Sequence, residues 1–521
     1  MPTLTILCGG ERVQAAFQGT PLLSQALAAA GFGLAQPCGG RGTCGKCAVV
    51  ALRGAVTPPS AAEARAGVRL SCQARLLGDA QVELPARPSW AAIETATHFS
   101  AASTSTNSSA TANTTATTAT AATTAAPARG APMAGRYGAA VDLGTTTVAA
   151  KVFDLQTGEP LGEHALVNPQ TTVAADVMGR ISAALSGEGE RLRAQARDAV
   201  LQAVAGACAN AGVPGADALC VAGNTVMLYL LTGRDPQALA VAPFAADERF
   251  GWAYDLAGVP AYLPPCAGAF MGADLTCAAL ATDLCGQAET ALLCDIGTNG
   301  ELMLWHRGAL YAASAPAGPA FEGGEISQGC GGVLGAIDKV WPEGGGLGAR
   351  VIGGGKAIGV CGSGLIDAVA ALLTAGRIDA TGAADAKAFP LRDGVSLTAG
   401  DVRAVQLAKA AIRAAMETLM DAAGAQVSAV KRVLLAGGFG SHIQVGSAAA
   451  IGLLPAPLAF KAVAVGNAAL TGAAMLLLDT GMRERAEWIA QHAQVVGLGG
   501  DAGFERRFFG AMDFPTAGEE P

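Results

Sequence analysis

The chain has 521 residues, 51% of them apolar, and a net charge of −8. That length exceeds one compact core and implies three or more folding units, and an acidic balance with no concentrated basic surface excludes a general nucleic-acid binder. No run approaches the roughly 20 uninterrupted apolar residues that span a bilayer, and the opening MPTLTILCGGERVQ lacks the basic start and apolar core of a signal peptide, so a cytoplasmic chain with no membrane partner is expected.

Residues 1–88 read as a small α+β unit. LTILCGGERVQAAF has the alternation and turn of a strand hairpin, PLLSQALAAAGF has helical spacing, and CAVVALRGAV and AQVELP are further strands. Residues 89–135 are dominated by Ala, Thr and Ser. Such a stretch buries too little to offset its ordering entropy, and β-branched Thr weakens the competing reading as a long Ala-rich helix, so a flexible linker is expected. Its reach is on the order of 30 Å. Beyond it, strand-like GAAVDLG, TVAAKVFDL, TALLCDIG, GELMLWHRG and KRVLLAGG alternate with helical stretches such as RLRAQARDAVLQAVAGACANAG and LAKAAIRAAMETLMDAAG. This predicts a larger α/β assembly, divided at 136–285 and 286–521.

The 13 cysteines are too many and too scattered for a disulfide framework in a reducing compartment; only a tight cluster suggests metal. Cys38, Cys44, Cys47 and Cys72 follow C-x5-C-x2-C-x24-C. An iron–sulfur cluster needs four converging thiolates, and a glycine-rich loop supplies three while a distant segment closes the site. A structural zinc site is the competing reading, but it favours paired C-x2-C knuckles, and the second pair is missing. The spacing resembles that of 2Fe-2S ferredoxins with five residues between the first two ligands. Cys8 falls outside the pattern and reads as a core thiol.

VDLGTTTV (141–148) and CDIGTNGEL (294–302) share an apolar strand, an Asp, a Gly-Thr turn and a second apolar strand. Each predicts a hairpin whose turn offers N–H groups and hydroxyls to an anion, with the Asp placed for a hydrated Mg2+. A third element, VKRVLLAGGFGSHI, puts a buried strand directly before Gly437, Gly438 and Gly440, where bare backbone can approach a nucleoside. Together the three resemble the phosphate and adenosine motifs of the superfamily that joins actin, heat-shock chaperones and sugar kinases. The resemblance implies two RNase-H-like halves around ATP, with Asp142, Gly144, Thr145 and Thr146 in one half and Asp295, Gly297, Thr298 and Asn299 in the other. It further implies that Asp142 and Asp295 hold Mg2+ through water, that either positions the hydrolytic water, and that Gly437, Gly438 and Phe439 hold adenosine. GKAIGVCGSGLIDAVAALL and GNAALTGAAMLLL look like its connecting helices. Glu322 and Glu325, in a glycine-rich loop near the cleft, could meet metal or a partner but read first as solvated carboxylates, and Cys330 and Cys361, the candidates for a second cluster, read first as packing residues.

The order of parts, ferredoxin unit, linker, then VDLGTTTVAAKVFD, AGNTVMLYLLTG, CDIGTNGEL, GGKAIGVCGSGLID and LLAGGFGSHI, resembles the reductive activators of corrinoid proteins. That family implies an ATP-driven, one-electron reduction of Co(II) to Co(I) in a methyltransferase corrinoid protein, a 2Fe-2S cluster, ATP and Mg2+ as cofactors, an upstream low-potential reductase and a homodimer. The Ala/Thr/Ser linker departs from the family's more structured connection. Three alternatives remain: an activator of a radical dehydratase, whose dimer shares one 4Fe-4S cluster; a small-molecule kinase with a redox-sensing ferredoxin unit; and an ATP-gated electron-carrying scaffold.

Overall fold

Alternate side chains of the first strand, Leu4 and Ile6, are fully buried, and this period of two builds the N-terminal sheet. In the computed structural model the described residues are 2–8, 11–30, 32, 34, 47–60, 63–64, 68–84, 130–297, 299–440 and 442–516. Strands β1 (Thr3–Cys8), β2 (Glu11–Ala16), β3 (Ala48–Val56), β4 (Arg69–Leu70) and β5 (Leu76–Glu83) form one sheet in the order β2-β1-β5-β3-β4, with β1 and β5 parallel. The helix Leu23–Ala29 closes one face through Leu23 and Leu27, one turn apart and both fully buried. Cys8 joins this core, as the sequence suggests. The unit is the small α+β, β-grasp ferredoxin domain expected.

The linker expected over 89–135 lies, up to residue 129, outside the described residues. Its last part is bonded to the body of the protein: the Met133 amide donates to Leu477 O (2.9 Å) and the Thr480 amide to Ala131 O (2.9 Å).

Two six-stranded sheets follow. The first comprises β6 (Tyr137–Leu143), β7 (Thr147–Asp154), β8 (Pro160–Val167), β9 (Ala218–Gly223), β10 (Trp252–Leu256) and β11 (Val259–Leu263), in the order β10-β11-β9-β6-β7-β8. The second comprises β12 (Thr290–Ile296), β13 (Gly300–His306) and β14 (Ala309–Ala315) with three strands from further along the chain. Between them in sequence come β15 (Ala336–Glu343), β16 (Gly346–Val351) and β17 (Gly359–Val360), which form a small sheet, and the hairpin of β18 (Ala388–Arg392) and β19 (Val395–Thr398). With β20 (Val430–Ala436), β21 (Ala462–Gly466) and β22 (Ala493–Val495), the second large sheet has the order β21-β20-β12-β13-β14-β22. In each large sheet an antiparallel three-strand meander is extended by parallel strands beside its first member, β9 beside β6 and β20 beside β12. These are the two RNase-H-like halves.

A shared core joins the halves: Ala140 and Cys220 of the first sheet, Leu293 and Leu434 of the second, and Leu275 and Leu476 of two helices between them. Those helices, Ala273–Ala281 and Ala468–Leu478, cross so closely that a Cβ on Gly472 would stand 2.1 Å from Cys277 O. The structure corrects one expectation here. GNAALTGAAMLLL does connect the halves, but its partner is Ala273–Ala281. GKAIGVCGSGLIDAVAALL instead forms the helix Gly362–Thr374 and packs on β15, where a Cβ on Gly364 would meet Ile337 O at 2.3 Å. Its small residues serve close approach to a strand within the second half.

Among the described residues no helix is long and apolar enough to cross a membrane.

Candidate functional site

Both Asp-Gly-Thr segments are hairpins, β6–β7 and β12–β13, and their turns face one cleft. In the first, the Gly144 amide donates to Thr147 O (3.0 Å), closing the turn. In the second, the Gly297 amide donates to Asn299 O (3.0 Å); Thr298 lies outside the described residues. Asp142 and Asp295 are half-buried near the ends of β6 and β12. Asn467, the N-cap of the Ala468–Leu478 helix, donates through Nδ2 to Asp142 Oδ2 (2.8 Å), tying a connecting helix to the first turn. Asn224 caps the next helix, Thr225–Thr232, and reaches Thr145 Oγ1 (3.1 Å).

Three further carboxylates complete the cleft. Glu301 stands directly across from Asp295 in the antiparallel β12–β13 ladder, so the two side chains share a face. Glu301 is 7% exposed. Asp274, at the start of the Ala273–Ala281 helix, lies within electrostatic reach of the Asp142 and Asp295 charges. Desolvation raises the Asp142 carboxyl to about 6 against a countering Asn467 hydrogen bond. Desolvation, then the charges of Asp142 and Glu322, raises Asp295 to about 7. Asp274 and Glu301 are raised for the same reasons, burial first and neighbouring carboxylates second.

Glu322 is not the solvated loop carboxylate expected from sequence. It is half-buried, accepts a hydrogen bond from Thr146 Oγ1 in the other half, and lies so near the second turn that a Cβ on Gly297 would stand 3.3 Å from its Oε1. The short helical turn Pro319–Glu322 aims it there. Glu325 is exposed, as expected. Of the added acids, Glu301 carries a sequence signal: in a hairpin that turns at 297–299, residue 301 pairs with 295. Asp274 comes from a distant segment and carries none, and Glu322 carries only its place in the glycine-rich loop expected near the cleft.

The glycine-rich run after β20 begins a short helical turn, Gly437–Gly440, which includes Gly438 and Phe439. Parallel pairing sets Ala436 beside Asp295, and Gly437, at φ +88°, passes so close that a Cβ would lie 2.6 Å from Asp295 Oδ1. Only glycine meets both demands. The segment assigned to adenosine thus adjoins the second Asp.

The donor set fits a hard cation with phosphates, since it is all oxygen. Among the described residues no group of three His, Cys, Asp or Glu side chains converges tightly enough to cage a metal ion.

In the N-terminal unit, Cys47 and Cys72 are buried, at 1% and 5% exposure. The β3–β4 ladder pairs Ala48 with Leu70, and the Ser71 amide donates to Cys47 O (3.0 Å), so the two cysteines leave the end of one ladder. Two buried thiols set together at a strand end fit half of a four-thiolate site. Cys38 and Cys44 lie outside the described residues. Cys330 and Cys361 pack in one small apolar cluster.

Three family models match the chain in succession: a 2Fe-2S iron–sulfur cluster binding domain over residues 6–77, the middle region of RACo over 137–287, and the C-terminal domain of RACo, the ASKHA domain, over 289–521. Fold and matches therefore define a chain that joins a 2Fe-2S ferredoxin-type domain to an actin-like, ASKHA domain. The chain is 34% identical over 387 residues to the corrinoid activation enzyme RamQ of Eubacterium limosum, an alignment covering 66% of this chain and 64% of RamQ, just under two thirds of that protein. It is 29% identical to the [Co(II) methylated amine-specific corrinoid protein] reductase of Methanosarcina barkeri, over 66% of this chain and 70% of that protein. A solved structure, a reductive activator for corrinoid, iron–sulfur protein, superposes with a TM-score of 0.68 at 25% identity, covering 98% of each chain. The chain belongs to the RACo family.

Proposed function

We propose that this protein is an ATP-dependent reductive activator that passes one electron from its 2Fe-2S cluster to a corrinoid protein of a methyltransferase system, returning inactive Co(II) to Co(I). The observation that carries the reading is the joining, in one chain, of a ferredoxin unit to a two-halved nucleotide cleft with an acid on each hairpin. The similarity to a reductive activator over 98% of both chains supports it. The cluster, held by Cys38, Cys44, Cys47 and Cys72, supplies a one-electron couple near the low potentials of ferredoxins. For such a couple each ~59 mV of unfavourable potential costs a factor of ten in equilibrium, which is the reason to spend ATP on a reluctant acceptor.

In this reading the turn residues Gly144, Thr145 and Thr146, with Gly297, Thr298 and Asn299, receive the phosphates, and Gly437, Gly438 and Phe439 receive the adenosine. Asp142 and Asp295 hold Mg2+ through water, and Asp274 joins them as a group able to orient the hydrolytic water. Two connections would transmit the event between the halves. Asn467 joins Asp142 to the Ala468–Leu478 helix, and Glu322 joins Thr146 to the second turn. Closing the cleft favours a partner complex in which cobalt is easier to reduce. An upstream low-potential reductase refills the cluster, and the protein works as a homodimer.

The test is Asp295→Ala in a mixture of protein, reductant, Mg-ATP and a Co(II) corrinoid protein. The variant keeps its visible cluster spectrum and fails to form Co(I). A variant that reduces cobalt at the wild-type rate identifies an ungated carrier and overturns the proposal.

A further inference from the structure

The first anion turn is shaped from behind. All three of its carbonyl oxygens are drawn into the first half. Asn168 Nδ2 donates to Gly144 O (2.8 Å), Arg180 Nη2 donates to Thr145 O (2.6 Å), and the Asn168 amide donates to Thr146 O (2.8 Å). Across a trans peptide the carbonyl and the following N–H point in opposite directions. The amides of Thr145 and Thr146 are therefore turned away from this core, and neither donates to an acceptor among the described residues. Consecutive outward amides make an anion-binding concavity.

Arg180, on the helix Val177–Ala183, is fully buried at 0% exposure. Its Nε donates to Ala174 O and its Nη1 to Gln170 Oε1 and Met227 Sδ, all neutral acceptors and each at 3.0 Å. No carboxylate forms an ion pair with it among the described residues; Asp176 and Glu322 act on it through space only. Burial lowers its pKa to about 9, which leaves it charged at neutral pH. A buried cation without a contacting counter-ion is costly. Here it lies directly behind the turn of a cleft lined with acids, and a triphosphate entering that cleft needs an opposing charge.

We propose that Arg180 is a positioning residue for the triphosphate: it pins the Thr145 carbonyl inward so that the amides of the turn present to a phosphate, and its charge, in contact with no carboxylate, offsets the acidic cleft. The inference rests on the ATP-driven reading above and adds a residue to it. Arg180 contacts the turn and acts through it.

The experiment uses the full-length, cluster-loaded protein with Arg180→Met and Arg180→Lys, and titrates Mg-ATP, Mg-ADP and adenosine calorimetrically alongside steady-state ATP hydrolysis. Arg180→Met is expected to weaken Mg-ATP binding tenfold or more, Mg-ADP less, and adenosine less than twofold, with KM rising and kcat within about threefold of wild type. Arg180→Lys keeps the charge without the planar fork and recovers part of the Mg-ATP loss. A purely structural role lowers all three affinities alike, or lowers only the active fraction. The inference is overturned when Arg180→Met binds Mg-ATP within twofold of wild type or loses adenosine equally. Should Arg180→Met not fold, Arg180→Lys decides, with a loss confined to the phosphate-bearing ligands expected and a wild-type affinity contradicting it. Wild-type protein that binds no Mg-ATP sinks the parent reading, and this inference with it; wild-type binding with unaffected variants sinks this inference alone.

Discussion

Asp295→Asn should make the protein more stable and less active at once. The Asp295 carboxyl is raised from 3.8 to about 7, by desolvation first and then by the Asp142 and Glu322 charges. At pH 7.5 the folded state holds this group largely ionised at a cost set by that displacement, roughly 3 units at 1.36 kcal/mol each, or about 4 kcal/mol. Asp295 is half-buried, so water screens part of this and about 2 kcal/mol is the working figure. A folded pKa above the unfolded one means the penalty is absent below about pH 4, grows as pH rises, and is complete above about pH 7. The neutral amide removes it. Thermal unfolding should therefore place Asp295→Asn on the order of 4 °C above wild type at pH 7.5, with the gap shrinking as pH falls toward 4, while ATP turnover drops a hundredfold or more. A variant destabilised equally at every pH, or one that hydrolyses ATP normally, refutes the claim that this carboxylate is held under strain for the nucleotide.

Binding of Mg-ATP should weaken as pH falls from 7.5 to 6, because protonating Asp295 and then Asp142, raised to about 7 and about 6, removes the charges that meet the cation; calorimetry in buffers of different ionisation enthalpy should detect proton release on binding. Cys72→Ser should lose the 2Fe-2S absorption and all cobalt reduction while hydrolysing ATP within twofold of wild type, measured by phosphate release. Gly472→Val should cost about 3 kcal/mol or more in chemical denaturation, because a Cβ there would lie 2.1 Å from Cys277 O in the crossing of the two connecting helices.

What could be read directly from sequence is what is local. The Asp-Gly-Thr hairpins and the strand before Gly437 each lie within short windows whose periodicity or turn chemistry is self-contained, and the strands they predict are present. Glu301 was within reach, since hairpin pairing puts it opposite Asp295, but it reads as the polar start of an apolar strand. Asp274, Glu322 and Arg180 reach the cleft by tertiary packing. Arg180 looks like an exposed helical residue, yet it is fully buried. The connecting helices show the same limit. Ala273–Ala281 and Gly362–Thr374 are both rich in small residues, and composition cannot say whether a small face meets a helix or a strand. In sequence Glu322 reads as solvated because loop carboxylates generally are, whereas a fold of Pro319–Glu322 brings it to Thr146.

The most direct measurement follows the cobalt absorption bands of a Co(II) corrinoid protein mixed with this protein and a reductant, with Mg-ATP, with a non-hydrolysable analogue, or with no nucleotide. Co(I) should accumulate with Mg-ATP, and the Co(II) spectrum should persist in the other two mixtures. Equal Co(I) formation in all three would show that nucleotide plays no part in driving the electron to cobalt.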